Sequence, residues 1–474
     1  MNDDKVTAAT DFQRDESFRD TIGTVDNSGK RIWITPKKPK GKFYNARNFV
    51  AFFLLVLLYS GPFIRIGGQP LLLVNVFERK FVIFGAAFWP QDFHLFALLL
   101  LSFIIFIVTF TAVFGRVWCG WACPQTVFME LVFRKIEYWI EGDAGKQRKL
   151  NAGPWTLSKI FKKGFKQAIF FAIAFSIGNV FMAYIVGSEE WWQIVNQPPS
   201  AHFSGFTAVM VFSFIFYFVF SYFREQACVI VCPYGRYQSV LLDKNSVVIS
   251  YDFKRGEPRG KKSRKNPDAQ LGDCIDCHQC VDVCPTGIDI RNGTQLECVN
   301  CTACIDACDT VMTKVKRPTG LIRFASYNSI KTGNKRIFTP RVMGYTAVLM
   351  LIIMIFSGVL MTRKDVETTV LRTPGILYNQ TADGGFSNVY NFKIVNKTFE
   401  EIPVRFTIKD MDANIRLNQD DLIVPKSELY SSTMVIELPQ SELHEGRNQI
   451  TIQVWRGEEL IEEVDTTFQA PDKL

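Results

Sequence analysis

Twelve cysteines define the chemistry open to this chain, and all of them lie between Cys119 and Cys308. Eight form two quartets: Cys274, Cys277, Cys280, Cys284 followed by Pro285, and Cys298, Cys301, Cys304, Cys308 followed by Asp309. Both quartets have the spacing C-x2-C-x2-C-x3-C. Two residues between ligands make the tight turn that lets successive thiolates reach different corners of one iron–sulfur cubane. In two-cluster ferredoxins the fourth cysteine crosses to the other cluster. The spacing therefore predicts one 4Fe-4S cluster on Cys274, Cys277, Cys280 and Cys308, and a second on Cys298, Cys301, Cys304 and Cys284. A pair of zinc sites is the competing reading, but zinc sites draw one C-x2-C pair from each of two separated places. The proline missing after Cys308 departs from the usual run.

The other four cysteines form an internal repeat. One apolar run leads into Arg116-Val117-Trp118-Cys119-Gly120-Trp121-Ala122-Cys123-Pro124, and another into Arg224-Glu225-Gln226-Ala227-Cys228-Val229-Ile230-Val231-Cys232-Pro233. A spacing of four puts both sulfurs on one helical face, and the proline is expected where the helix stops. If the two helices are neighbours, Cys119, Cys123, Cys228 and Cys232 converge into a four-thiolate site. Thiolates select Cu(I), zinc or iron–sulfur centres, so copper and a further cluster both stay open. Free cysteines also serve simply as small buried hydrophobes.

Other residues carry weaker signals. His94 and His202 precede the two cysteine-bearing runs in matching places, which invites a bis-histidine haem, although a boundary histidine also serves as an interfacial polar residue. His278, inside the first quartet, is expected to tune or shield a cluster, and His444 has no partner motif. Lys/Arg runs at 254–265 and 314–323 suit lipid headgroups better than an acidic donor. Asn396-Lys397-Thr398 fits the glycosylation pattern but is discounted in a chain of bacterial type. No phosphate loop, nucleotide fingerprint or catalytic triad is recognisable, which leaves the chemistry to cofactors.

What must position these residues is a membrane protein. Hydrophobic residues make up 48% of the chain, with 42 Phe, and five apolar stretches at 48–66, 93–115, 167–187, 204–223 and 342–361 are suited to cross the bilayer. The run 71–85, broken by Glu78, Arg79 and Lys80, is expected to be interfacial or re-entrant. Lys and Arg number ten in 1–47, three in 62–92, ten in 116–166, none in 188–203 and nineteen in 224–341. That alternation is the positive-inside pattern. It places every cysteine on or near the cytoplasmic side, where disulfides are rare, and puts 362–474 outside. The net charge of +8 then needs no nucleic acid to explain it.

The fold expected is an α-helical membrane protein with about five transmembrane helices, an inserted bacterial two-4Fe-4S ferredoxin-like domain and a C-terminal immunoglobulin-like β-sandwich. Its parts would be a polar, poorly ordered cytoplasmic segment at 1–47, a four-helix membrane domain at 48–240, the ferredoxin-type domain at 241–340, a fifth span at 341–361, and a β domain at 362–474. Residues 1–47 have no apolar core of the signal-peptide kind. The sandwich is read from period-two alternation at Tyr390, Phe392, Ile394 and at Ile450, Ile452, Val454.

Taken in order, Trp118-Cys119-Gly120-Trp121-Ala122-Cys123-Pro124-Gln125, the second C-x3-C-P, the tandem quartets, the last span and the β-rich tail resemble the cytochrome c oxidase accessory protein family, CcoG, also called FixG or RdxA. The resemblance covers nearly the whole chain from about residue 30 and implies a bacterial inner-membrane protein. It implies a cupric reductase, an oxidoreductase that turns Cu(II) into Cu(I) during assembly of a haem–copper oxidase. The cysteine pairs would act on copper and the quartets would hold two 4Fe-4S clusters. Implied partners are membrane lipid, a cytoplasmic electron donor, copper-handling proteins and the oxidase assembly machinery, with pairing to a second copy of the chain left open. The alternatives are a quinol-linked transmembrane electron relay and a non-catalytic assembly scaffold.

Overall fold

In the computed structural model, residues 23–472 are described apart from 27, 67, 77–79, 85, 90, 91, 262–269, 376, 382, 383, 399, 418–421 and 427. Residues 1–22 and 27 of the expected polar segment and the end of the 254–265 basic run lie outside these residues. Five helices are long and apolar enough to cross a membrane: Lys42–Ser60, Phe93–Phe114, Leu157–Val186, Phe203–Phe223 and Pro340–Met361. The chain divides into two units, residues 1–62 with 97–354, and residues 63–96 with 355–474.

In the first unit, three corrections to the sequence reading concern where elements begin and end. The first span starts at Lys42 rather than 48, because the Asp306 carboxylate accepts from the Phe43 and Tyr44 amides (3.2 and 2.8 Å) and so caps the helix. The third span starts at Leu157 rather than 167. Thr156 caps it by accepting from the Lys159 amide, and Lys159 donates onward to two backbone carbonyls. Residues 28–41 are a strap held by the fold. The Lys37 amide donates to Asp282 O (2.7 Å), the Lys38 amide to Asp143 (2.8 Å), Arg31 to Glu225 (2.8 Å), and the Arg31 guanidinium lies 3.8 Å over Trp33. Spans three and four pack closely at Gly178, where a Cβ would stand 2.7 Å from Ser213 Oγ.

The cluster-bearing module follows the membrane helices. A two-stranded antiparallel pair, Val248–Tyr251 with Ile322–Ala325, and the helices Gln279–Asp282 and Ala303–Lys314 enclose a core that includes Ile249, Ile305, Met312 and Leu321. Asp309 stands where a proline was expected because its helix continues to Lys314. The first quartet instead closes just after its short helix ends at Asp282, where Pro285 is tolerated.

The second unit contains a β-sandwich. One sheet runs Asn414–Leu417, Leu429–Leu438, Phe386–Asn396, Val366–Arg372, and the other Leu422–Val424, Ile402–Ile408, Arg447–Arg456, Glu459–Gln469. The alternation seen in sequence faces inward: Tyr390, Phe392, Ile394, Ile450, Ile452 and Val454 are buried together. The run 71–85, expected to be interfacial or re-entrant and not a further span, is built of strands and forms no spanning helix among its described residues. It contributes most of a three-stranded meander, Leu72–Asn75, Lys80–Ile83 and Ala86–Phe88, because Leu73 and Val82 alternate onto one buried face; Glu78 and Arg79 lie outside the described residues. Buried Asp92 is clamped by Arg363 and Lys397, each at 2.7 Å. Asn396 is fully buried, donating to the Glu400, Val424 and Pro425 carbonyls, so it is a structural amide and not a glycan acceptor.

Candidate metal centre

The two quartets are built by the same local device. Two and four residues after the first cysteine the backbone turns left-handed: Asp276 and His278 (φ 54° and 56°) in one, Asn300 and Thr302 (φ 52° and 64°) in the other. Asp, Asn and His tolerate that conformation better than most residues. Each pair of turns curls its C-x2-C-x2-C loop around a common centre.

Two cavities result. One is lined by Cys274, Cys277, Cys280 and Cys308, with Tyr251 and Met312 beside them. The other is lined by Cys284, Cys298, Cys301 and Cys304, with Ile249 and Ile288. Cys280 lines both, so the cavities adjoin. Burial pushes the thiols of Cys280, Cys298 and Cys308 up to about 12 and that of Cys301 to about 11. Thiols raised in this way become thiolates only where cationic metal compensates them. Among the described residues no three Cys, His, Asp or Glu side chains converge tightly enough to hold a single ion. Sulfurs spread around a void, four to a cavity, fit a cubane in which each iron takes one thiolate, and do not fit tetrahedral zinc.

The paired cysteines lie close to the second cavity. Cys119 sits on the short helix Val117–Trp121 and packs with Val299, Cys301 and Ala303. Gly120 allows this approach, since a Cβ there would be 2.4 Å from Val299 O. Gly115 does the same at the end of the second span, with φ +60° and Val248 2.5 Å from a Cβ. As expected, each helix stops before its proline, at Trp121 and Val231, and the proline also opens the next one. Cys123 and Cys232 are extended, and Pro124 and Pro233 open the following helices at the position where a missing N–H costs nothing. Cys228 lies on a π-helical turn, Ala227–Val231, closed by Cys232 N to Ala227 O (2.8 Å), so the two sulfurs of a pair do not share one α-helical face. The four thiols still lie within electrostatic reach of one another, and burial raises Cys119 to about 11 and Cys228 to about 12.

Several residues the motifs did not single out complete the site. Buried Gln238 places its amide nitrogen 3.5 Å from Cys119 Sγ, and Tyr234 nearby bonds Thr111 (2.9 Å). The arginines preceding the two pairs take different roles. Arg116 donates to Leu296 O in the second quartet's approach, whereas Arg224 forms two bonds to Glu137 (2.8 and 3.0 Å). Glu137 belongs to a buried network that includes Lys166, Glu141, Arg134 and Glu225. Burial alone would raise Glu137, but Arg224 and Lys166 outweigh it and hold the carboxyl at about 2. His278 is caught between Arg291 (3.0 Å) and Asp276 (3.4 Å) beside the first cavity; His202 meets Gln197 at 2.8 Å. His94 is the second residue of its span, and the His444 amide donates to Asn448 (2.8 Å).

Comparison with known families agrees with this layout. Residues 223–327 match a 4Fe-4S dicluster domain, 96–147 a 4Fe-4S binding domain, and 356–471 the Ig-like fold at the C-terminal of FixG. The nitrogen fixation protein FixG of Rhizobium meliloti is 34% identical over 81% of this chain and 80% of its own length. Proteins RdxB and RdxA of Cereibacter sphaeroides are 35% and 32% identical, over 78% and 81% of this chain and 80% and 84% of their own. A FixG-related protein of known structure from Vibrio parahaemolyticus aligns over its whole length and 24% of this chain, at 21% identity and a TM-score of 0.20.

Proposed function

Because this chain belongs to the FixG/RdxA family of membrane iron–sulfur electron-transfer proteins, we propose that it is a cupric reductase, passing single electrons to Cu(II) at Cys119, Cys123, Cys228 and Cys232 and releasing Cu(I) for assembly of a cytochrome c oxidase. The observation that carries this reading is the packing of Cys119 against the Cys301 loop. A soft-ligand site touching an electron-storing module is where a one-electron substrate is best reduced.

Held by the two sets of four cysteines, iron–sulfur clusters supply one-electron storage and transfer. The residues of the chain do the rest. A reduced carrier of low potential donates one electron at a time from the cytoplasmic side, each electron leaves on one Cu(II), and one Cu(I) forms per electron. Cys119 and Cys228, neutral thiols at pH 7, lose their protons when a soft cation displaces them, so copper uptake releases protons. Gln238 orients Cys119.

The test is anaerobic reduction of the purified protein, removal of reductant, and addition of Cu(II) with a Cu(I)-specific chelator. Chelator colour in proportion to the electrons stored is expected; its absence would sink the proposal. A second reading is a third iron–sulfur cluster on the four paired cysteines. It is favoured by the match of a 4Fe-4S binding domain to 96–147. Iron and acid-labile sulfide separate the two: about eight irons per chain leave the pairs free for copper, and about twelve assign them a cluster.

A further inference from the structure

The two cavities are chemically alike in their ligands and unlike in what surrounds them. Around the second, two guanidiniums are buried without a carboxylate partner among the described residues. Arg47, 3% exposed, donates through Nε to Gly120 O (2.9 Å), while its Nη2 is buried with no hydrogen-bond partner. Among charges acting on Cys301, that of Arg47 is the strongest. Arg116, 6% exposed, donates to Leu296 O, and its charge bears on both Cys298 and Cys119. Glu130 opposes them at Cys301, but it is itself tied to Arg134 at 3.4 Å. Cys284 adds backbone N–H donors from Thr286, Gly287 and Ile288.

Around the first cavity the cation is paired with carboxylates. Arg291 is its buried cation, but Asp289 takes that charge at 2.6 Å and Asp276 takes it again. Asp309 is the leading charge on Cys308; at Cys280 the charge of Arg291 leads and that of Asp289 opposes it. The Tyr251 hydroxyl donates to Glu257 (3.2 Å) and also bears on Cys274. A buried charge acts through a low dielectric, and net charge and hydrogen bonds to sulfur are what set a cluster's potential.

We propose that Arg47 and Arg116 make the second four-cysteine cavity the higher-potential of the two, so that an electron accepted at the first moves inward to the second and on toward Cys119. The first site is reoxidised as the second is reduced, one electron for one, with no proton or further reactant needed. This rests on the iron–sulfur reading and is independent of what the final acceptor is. Arg47 and Arg116 are positioning residues for charge, and they contact no substrate.

The experiment is a redox titration of the full-length protein in detergent, followed by electron paramagnetic resonance, with dithionite as reductant. Two separated reduction steps are expected. Arg47→Gln should move the higher step to more negative potential and leave the lower one in place. Arg116→Gln should do the same, and Arg47→Lys should largely keep the wild-type order. Asp289→Asn, which frees Arg291, should move only the lower step, toward more positive potential. Iron and sulfide content check that each variant is loaded. If Arg47→Gln loses its clusters, Arg116→Gln and Asp289→Asn decide. In the loaded Arg variants, a shift confined to the lower step, or no shift at all, overturns the proposal. Loss of Cu(I) formation with this order intact would instead remove the copper reading alone.

Discussion

At the scale of single residues, Gln238 is the side chain whose removal is most informative. It is fully buried with its amide on Cys119, and Leu keeps its size while deleting the hydrogen bond. Gln238→Leu is expected to slow Cu(I) formation several-fold at unchanged iron content, read by the chelator assay against total iron. The eight quartet cysteines were legible in sequence because a two-residue spacing is a local property. Gln238, Arg47 and Arg116 were not, since their partners lie far along the chain: Arg47 meets Gly120 across 73 positions and Arg116 meets Leu296 across 180. The arginine ahead of each pair was the available signal, but spacing gave it no role.

At the scale of elements, the apolar runs marked all five spans, while their beginnings were hidden by polar residues that find partners only in the fold. Lys159 and Lys166 read as loop yet sit in the third span's first turns, Lys166 bonded to Glu141 at 2.8 Å. Asp306→Ala removes the carboxylate that caps the first span and should cost about 1 kcal/mol, read as a lowered melting temperature in detergent. The buried charge network predicts a pH dependence. Glu137 is held from 4.5 down to about 2 in the folded protein, so its stabilisation is present above pH 4.5 and is lost as pH falls toward 2. Glu137→Gln should weaken that acid transition, measured by near-ultraviolet circular dichroism; an unchanged midpoint would mean the network contributes nothing to folding. The π-helical turns around the second pair left no trace in sequence, because an i→i+5 bond needs no special residue type.

At the scale of the whole molecule, the order of membrane helices, cluster module, last span and β-sandwich was readable because each part has its own periodicity. The meander at 72–88 was missed because three short strands carry too little alternation to be told from a broken apolar run. The distribution of Lys and Arg predicts that 241–340 and 362–474 lie on opposite sides of the membrane. Alkaline phosphatase fused after the last residue should be active, and fused within 241–340 inactive; the reverse pattern would invert the membrane orientation.

The strap at 28–41 has a consequence for biogenesis. It leaves the ribosome well before its partners do, since Arg31 and Lys37 find them 194 and 242 positions later, at Glu225 and Gln279. Its seating must therefore wait until the chain has been made through Gln279 and the quartet loops take shape. Protease resistance of this stretch would serve as a clock for maturation, appearing only after the iron has been delivered.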